Sequence, residues 1–242
     1  RLDVIDRMAQ HARDHGIVHA LVAGDVFDSE TASPAVVTQL LSRLAAHAAV
    51  TWHLISGNHD PARTGSVWDS VRRAECAANI RLHLTTAPAE ITTGVWLLPA
   101  PLAQKSAAAD PTAWMDTAAT PDGTIRIGMA HGSAVGDFGG DGGEAQVPID
   151  PRRARLANLA YLALGDWHGM TRIGERTWYS GTPEPDRFKD NQPGHALLIE
   201  CENNRAVPVV TPIKTAEFDW RPRALAIDTP DDLAPFEMDI KR

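Results

Sequence analysis

Apolar positions in the first eighty residues switch between two periods. Leu2, Ile5, Met8, Ala9 and Ala12 recur at the spacing of one helix face, and Gly16 supplies a stop. Ile17 to Ala23 is an apolar run of strand length, closed by Gly24. Ser33-Pro34 pairs a capping hydroxyl with a proline at the first helical position, which predicts a helix to about Ala48. A second apolar run, Val50 to Ser56, is closed by Gly57, and Ser66 to Ala77 returns to helical spacing. Helix and strand therefore alternate, as in a βαβ series.

Downstream the chain is strand-rich. Ile80 to Leu84, Ile91 to Leu98, Ile125 to Ala130, Tyr161 to Leu164, Thr177 to Ser180, His195 to Cys201 and Ala206 to Ile213 all read as strands. Asn203-Asn204 supplies turn chemistry between the last two. Residues 101–123 read as a loop with a short helix near Trp114. Ser133 to Asp150 is long and rich in Gly and Asp; Gly139 to Gly143 would either flex over a crevice or form a plain surface loop. The predicted fold is α/β, two stacked mixed sheets with helices on both outer faces. Residues 1–213 form its body, and 214–242 are a Pro-rich, acidic linker leading to a capping region.

The chemistry lies at strand ends. Ala20-Leu21-Val22-Ala23 delivers Gly24-Asp25-Val26-Phe27-Asp28, and Trp52 to Ser56 delivers Gly57-Asn58-His59-Asp60. Ile125 to Ala130 delivers His131-Gly132, and Tyr161 to Leu164 delivers Gly165-Asp166-Trp167-His168-Gly169. In an open α/β sheet such ends converge on one crevice. Asp166 and His168, two residues apart in extended chain, share a side. Carboxylate, amide and imidazole donors together suit divalent metals such as Mn, Fe or Zn. A helix cap is the plain alternative for Asp25, and turn stabilisation the favoured role for Asp28.

Composition narrows the reading. A length of 242 residues, with 43% hydrophobic and 22% charged, is enough to enclose a core. The net charge of -8 disfavours broad adhesion to nucleic acid, but bound cations would reverse the potential of an acidic crevice. Arg152, Arg153 and Arg155 form the densest basic cluster, read as a solvated helix face or a phosphate contact. Cys76 and Cys201 lack metal or redox spacing and read as packing residues in a reducing cytoplasm. No apolar run of about 18 residues predicts a membrane span, and no leader pattern predicts export, so the expected location is cytoplasmic. His11, His15, His19, His47, His53, His83 and His195 read as surface or packing residues. Trp167 reads as core, with base stacking as the functional alternative.

The series GDVFD, GNHD, AHG and GDWHG resembles the calcineurin-like metallophosphoesterase superfamily. Tyr179 to Pro185, YSGTPEP, with Phe188 just beyond, is similar to the nuclease subunits of SbcCD-type DNA repair exonucleases. The resemblance covers about residues 1–213. It implies a four-layer sandwich holding two divalent metal ions, manganese first and iron, zinc or magnesium as alternatives. It places Asp25, Asn58, His131 and Asp166 around one ion, and His168 around the other with Asp25 as the bridge. It casts His59 as the group facing the phosphate, which protonates the leaving oxygen, with Asp60 orienting that imidazole. It also implies a DNA substrate, an SbcC-like coiled-coil ATPase partner and a homodimer.

Two departures stand out. The family opens with a strand ending in Asp-x-His; none precedes Asp25, so that first strand is expected upstream of Arg1. The usual Gly-His-x-His is here Gly-Asp-x-His, and the carboxylate of Asp166 shifts preference toward harder ions. The same metal core would also serve a phosphoesterase for small nucleotides or phosphoproteins. A third reading, favoured if the chain genuinely starts at this helix, is an inactive scaffold that binds DNA or an ATPase partner.

Overall fold

Helix α1 (Asp3–Asp14) buries Val4, Ile5, Ala9 and Ala12, the stripe its periodicity predicts. It leads into β1 (His19–Val22), α2 (Pro34–Ala45), β2 (Thr51–Leu54), α3 (Val67–Arg73) and β3 (Ile80–Leu82). Ser33 Oγ accepts the Val36 N–H, and Pro34 opens α2, as predicted. This computed structural model describes residues 2–134, 147–186, 192–218 and 220. Gly139 to Gly143, Phe188 and positions 221–242 of the expected linker lie outside the described residues.

The first sheet is parallel, in the order β1-β2-β3, with Ala20 level with Trp52 and Trp52 with Ile80. Trp52 and Leu54 pack under α2 and α3 against Val37, Leu41, Leu44, Trp68 and Val71. After β3 come β4 (Ala89–Thr92), β5 (Val95–Ala100), β6 (Ile125–His131), the short β7 (Ser133–Ala134) and β8 (Pro148–Ile149), and α4 (Arg153–Leu156). Then follow β9 (Tyr161–Gly165), β10 (Thr171–Gly174) and β11 (Thr177–Tyr179). The second sheet runs β10-β11-β9-β6-β5-β4, parallel inside and antiparallel at both edges.

Ile55 from the first sheet and Leu97 and Met129 from the second meet in a buried apolar seam between the sheets. Leu98, Leu162 and Leu164 face outward under α4 and a 3-10 turn at Ala113–Asp116. The layers are thus helix, sheet, sheet, helix, the predicted sandwich. The hairpin β12 (His195–Glu200) and β13 (Val209–Lys214) completes the described chain. Asn203 Oδ1 caps its turn by accepting the Arg205 and Ala206 N–H groups. Asn204 accepts the Arg126 N–H and donates to the Thr124 carbonyl, tying the turn to β6. β13 runs one residue past the expected boundary at 213. Beyond it Arg7 grips the Thr215 carbonyl and pairs with Glu184 and Glu217.

Three local expectations are corrected. Ile91 to Leu98 is not one strand but the second half of β4, a turn at Thr93-Gly94, and β5. The apolar run hid the reversal, because both sides of the hairpin carry apolar residues. The helix predicted to Ala77 ends at Arg73. Arg153 is not solvated: it is buried, pairs with Asp110 and Asp116, and donates to Thr112 Oγ1 at 2.9 Å. Among the described residues, no helix is long and apolar enough to cross a membrane.

Candidate metal centre

Four parallel strands of two sheets end at one place. β1 and β2 run out into the loops holding Asp25 and Asn58, while β6 ends on His131 and β9 on Gly165, just before Asp166. His131 joins the two sheets: its Nδ1 lies 2.8 Å from the Ala23 carbonyl oxygen. A carbonyl only accepts, so Nδ1 carries a proton. The other nitrogen, Nε2, faces Asn58 Oδ1 at 3.1 Å, Asp25 Oδ2 at 3.3 Å and Asp166 Oδ1 at 3.9 Å.

That arrangement demands positive charge. A neutral ring protonated on Nδ1 would aim its Nε2 lone pair at three oxygen acceptors. A proton on Nε2 relieves this. Burial opposes the charged ring, but Asp25 and the Ala23 carbonyl outweigh it and raise the pKa of His131. A divalent ion relieves it equally well. Donor atoms about 2.1 Å from one ion, and neighbours in its shell, lie about 3 Å from one another. The two nearer oxygens already stand at that distance from Nε2. Asp166 is further out, and among the described residues no three His, Cys, Asp or Glu side chains are by themselves placed to hold a metal ion. The donor set fits a cation through the Asn58 amide as well as the charged groups, with Asp166 the most distant.

The loops reach this proximity through missing side chains and bent backbone. A Cβ on Gly57 would stand 2.2 Å from Asp25 Oδ1, and one on Gly165 only 1.9 Å from the Ala23 carbonyl oxygen. Asp25 (φ 50) and Asp166 (φ 99) hold positive φ without being glycine, a conformation costing about 1–3 kcal/mol each and concentrated at functional sites. Asp25 caps no helix, since α2 begins at Pro34. Its Oδ1 accepts the His59 N–H at 2.9 Å. Burial pushes the Asp25 pKa up, but His131 and the His59 N–H more than offset this and hold it below the ordinary value.

The remaining predicted residues fall in different places. His59 presents an exposed side chain at the mouth, directly beside Asn58. Asp60 does not orient that imidazole as expected. It is wholly buried, and its two carboxylate oxygens accept the Gly57 N–H at 2.6 Å and the Phe27 N–H at 3.1 Å. Its carbonyl accepts the Trp68 indole N–H. Asp60 therefore staples the GDVFD loop to the GNHD loop, and burial lifts its pKa to about 7 despite those two donors. His168 is tied to another partner, with Nδ1 2.6 Å from Asp186 Oδ2. Its carbonyl accepts the Thr182 N–H, folding the 180–186 segment back onto this loop. Trp167 packs against the outer core of the second sheet, on the apolar side predicted for it.

Sequence reasoning gave no individual role to three residues. Ser133 Oγ donates to Asp166 Oδ2 at 2.9 Å. Tyr179 Oη donates to the Gly132 carbonyl and accepts the Ala134 N–H. Asp186 holds His168. The signals were faint: a serine two residues past His131 and an aspartate one residue past the SGTPEP segment.

A sandwich of two sheets with carboxylate, amide and imidazole donors at converging strand ends is the architecture of a metal-dependent phosphoesterase. Residues 1–144, more than half of the chain, match the calcineurin-like phosphoesterase family, and the chain belongs to that family. Membership of that family implies metal-dependent phosphoester hydrolysis. Among solved structures, TT1561 of Thermus thermophilus is similar with a TM-score of 0.56 at 12% identity, over 88% of this chain and 93% of that chain. At that identity the likeness concerns the fold alone. A second solved structure aligns over 75% of this chain and 86% of its own at 12% identity, with a TM-score of 0.48. No curated protein matches the chain.

Proposed function

We propose that this chain is the nuclease subunit of a DNA repair exonuclease, hydrolysing DNA phosphodiesters with two divalent metal ions, manganese before iron, zinc or magnesium. The single observation that carries the metal-dependent part is the His131 Nε2 aimed at the oxygens of Asn58, Asp25 and Asp166. The likeness of the SGTPEP segment to SbcCD-type nuclease subunits supports DNA as substrate, and the segment's Thr182 N–H donates to the His168 carbonyl.

Bound divalent ions supply a nucleophile at neutral pH and neutralise charge growing on phosphorus. Asp25, Asn58, His131 and Asp166 would hold one ion, and His168 with Asp25 the other. Asp186 takes the Nδ1–H of His168 and so fixes that ring, as carboxylates behind metal-binding imidazoles do. His59 gives a proton to the leaving oxygen, a role worth about 10²–10⁴-fold in rate. A coiled-coil ATPase and a second copy of the chain are the proposed partners.

The test strips the protein with chelator, reloads it with Mn(II), and offers single- and double-stranded DNA, a cyclic nucleotide and a phosphomonoester. DNA is expected to be the preferred substrate. Preference for the cyclic nucleotide or the monoester would replace this reading with that of a small-molecule or phosphoprotein phosphoesterase.

A further inference from the structure

Asp166 has two oxygens, and the structure treats them differently. Oδ1 faces His131 Nε2, whereas Oδ2 accepts the hydroxyl proton of Ser133 at 2.9 Å. Ser133 is itself firmly held. Its N–H donates to the Val147 carbonyl at 2.9 Å, pairing β7 with the segment that enters β8. On either side, the buried Tyr179 hydroxyl donates to the Gly132 carbonyl at 2.7 Å and accepts the Ala134 N–H at 2.8 Å. The Gly132 N–H donates to the Gly165 carbonyl at 3.1 Å, locking this turn to the end of β9 that presents Asp166. Thus Asp166, its backbone strained at φ 99, has one carboxylate oxygen anchored by the hydroxyl of a serine whose backbone segment four hydrogen bonds hold in place.

We infer that Ser133 is a positioning residue that occupies Oδ2 of Asp166, so that this carboxylate meets the metal through Oδ1 alone. The inference rests on the metal-binding reading above. It also bears on which ion the site prefers. A carboxylate limited to one oxygen suits small ions with octahedral shells, while large Ca(II) favours carboxylates that chelate through both oxygens. Ser133 therefore acts on selectivity as well as affinity, without touching substrate.

The experiment titrates Mn(II) into the chelator-stripped protein and follows free Mn(II) by electron paramagnetic resonance, with Ca(II) as competitor. Ser133→Ala is expected to weaken Mn(II) binding about 10–100-fold, the usual effect of losing a group that supports a metal ligand, and to narrow the preference for Mn(II) over Ca(II). Ser133→Thr, which keeps the hydroxyl, should restore both. In an Asp166→Ala background, Ser133→Ala should change nothing further, because the two residues act as one. A thermal melt of each variant separates this from unfolding. Wild-type Mn(II) binding with undiminished binding in Ser133→Ala would overturn the inference while the metal-site reading stands. Equal losses with and without Asp166 would also overturn it. A wild-type chain that binds no Mn(II) would overturn both.

Discussion

The residues of the centre show how much local geometry is spent on closeness. Gly165 leaves its side unoccupied so that the Ala23 carbonyl can pass, and that carbonyl in turn fixes the tautomer of His131. Gly165→Ala forces a Cβ into backbone, which cannot yield as a flexible side chain would. This variant is expected to lose Mn(II) binding and to melt several degrees lower, measured by titration and calorimetry. His59 poses the opposite case: its ring is exposed and its link to the centre is backbone N–H to Asp25. His59→Ala should keep that bond, leaving metal content unchanged while turnover drops about 10²–10⁴-fold; loss of metal along with turnover would make His59 a ligand instead. Asp60 teaches a different lesson. Its neighbour in sequence suggested a partner for the imidazole, yet the need to pair the buried Gly57 and Phe27 N–H groups decided its orientation. Nothing in a tetrapeptide says which way a carboxylate turns when two backbone donors lie beneath it.

At the scale of elements, the strands that deliver the site were legible because each is an apolar run closed by glycine. The edges were not: β10 has too few apolar residues to stand out, and the β4–β5 reversal is buried within one apolar stretch. The histidines of the first sheet were read singly, and the structure joins three of them. His19 Nδ1 lies 3.1 Å from His53 Nε2, and His53 Nδ1 lies 2.9 Å from His83 Nε2, forming an imidazole ladder across the strands. Register explains it, since His53 stands level with Leu21 on β1 and Arg81 on β3, so its ring shares the face of the seam between the sheets. Burial, with the charges of His83, His19 and Arg81, lowers the pKa of His53 to about 3; burial and Arg81 lower that of His83 to about 4; burial alone lowers that of His19. Below pH 6.5 the folded state thus binds fewer protons at these rings than the unfolded chain, while Asp60, its pKa lifted to about 7, binds more and offsets part of the effect. Stability conferred by the neutral rings is full above about pH 6.5 and falls as pH drops toward about 4, by about 1.4 kcal/mol per pH unit for each ring kept neutral. Urea midpoints should therefore fall between about pH 6.5 and 4, because the rings held neutral outnumber the one carboxyl, Asp60, that opposes them, and a flat profile would contradict this account. Removing Arg153 tests the second sheet's packing: Arg153→Ala strands Asp110 and is expected to cost about 3 kcal/mol in denaturant unfolding.

The whole molecule is a sandwich whose two sheets meet at one functional edge. His131 stands on the second sheet yet bonds the end of the first, so binding at this centre should couple to the docking of the two layers. Mn(II) is expected to raise the melting temperature of the stripped protein as its concentration rises past the dissociation constant. The net charge of -8 makes that cation the local counterweight that an anionic substrate requires. The most direct measurement is isothermal titration of Mn(II) into chelator-stripped wild type and Asp25→Ala, run beside hydrolysis of a phosphodiester by the same samples. Wild type is expected to bind Mn(II) and gain activity with it, and Asp25→Ala to lose both. Mn(II) bound equally by the variant, or hydrolysis indifferent to Asp25, would contradict a metal centre built on these strand ends.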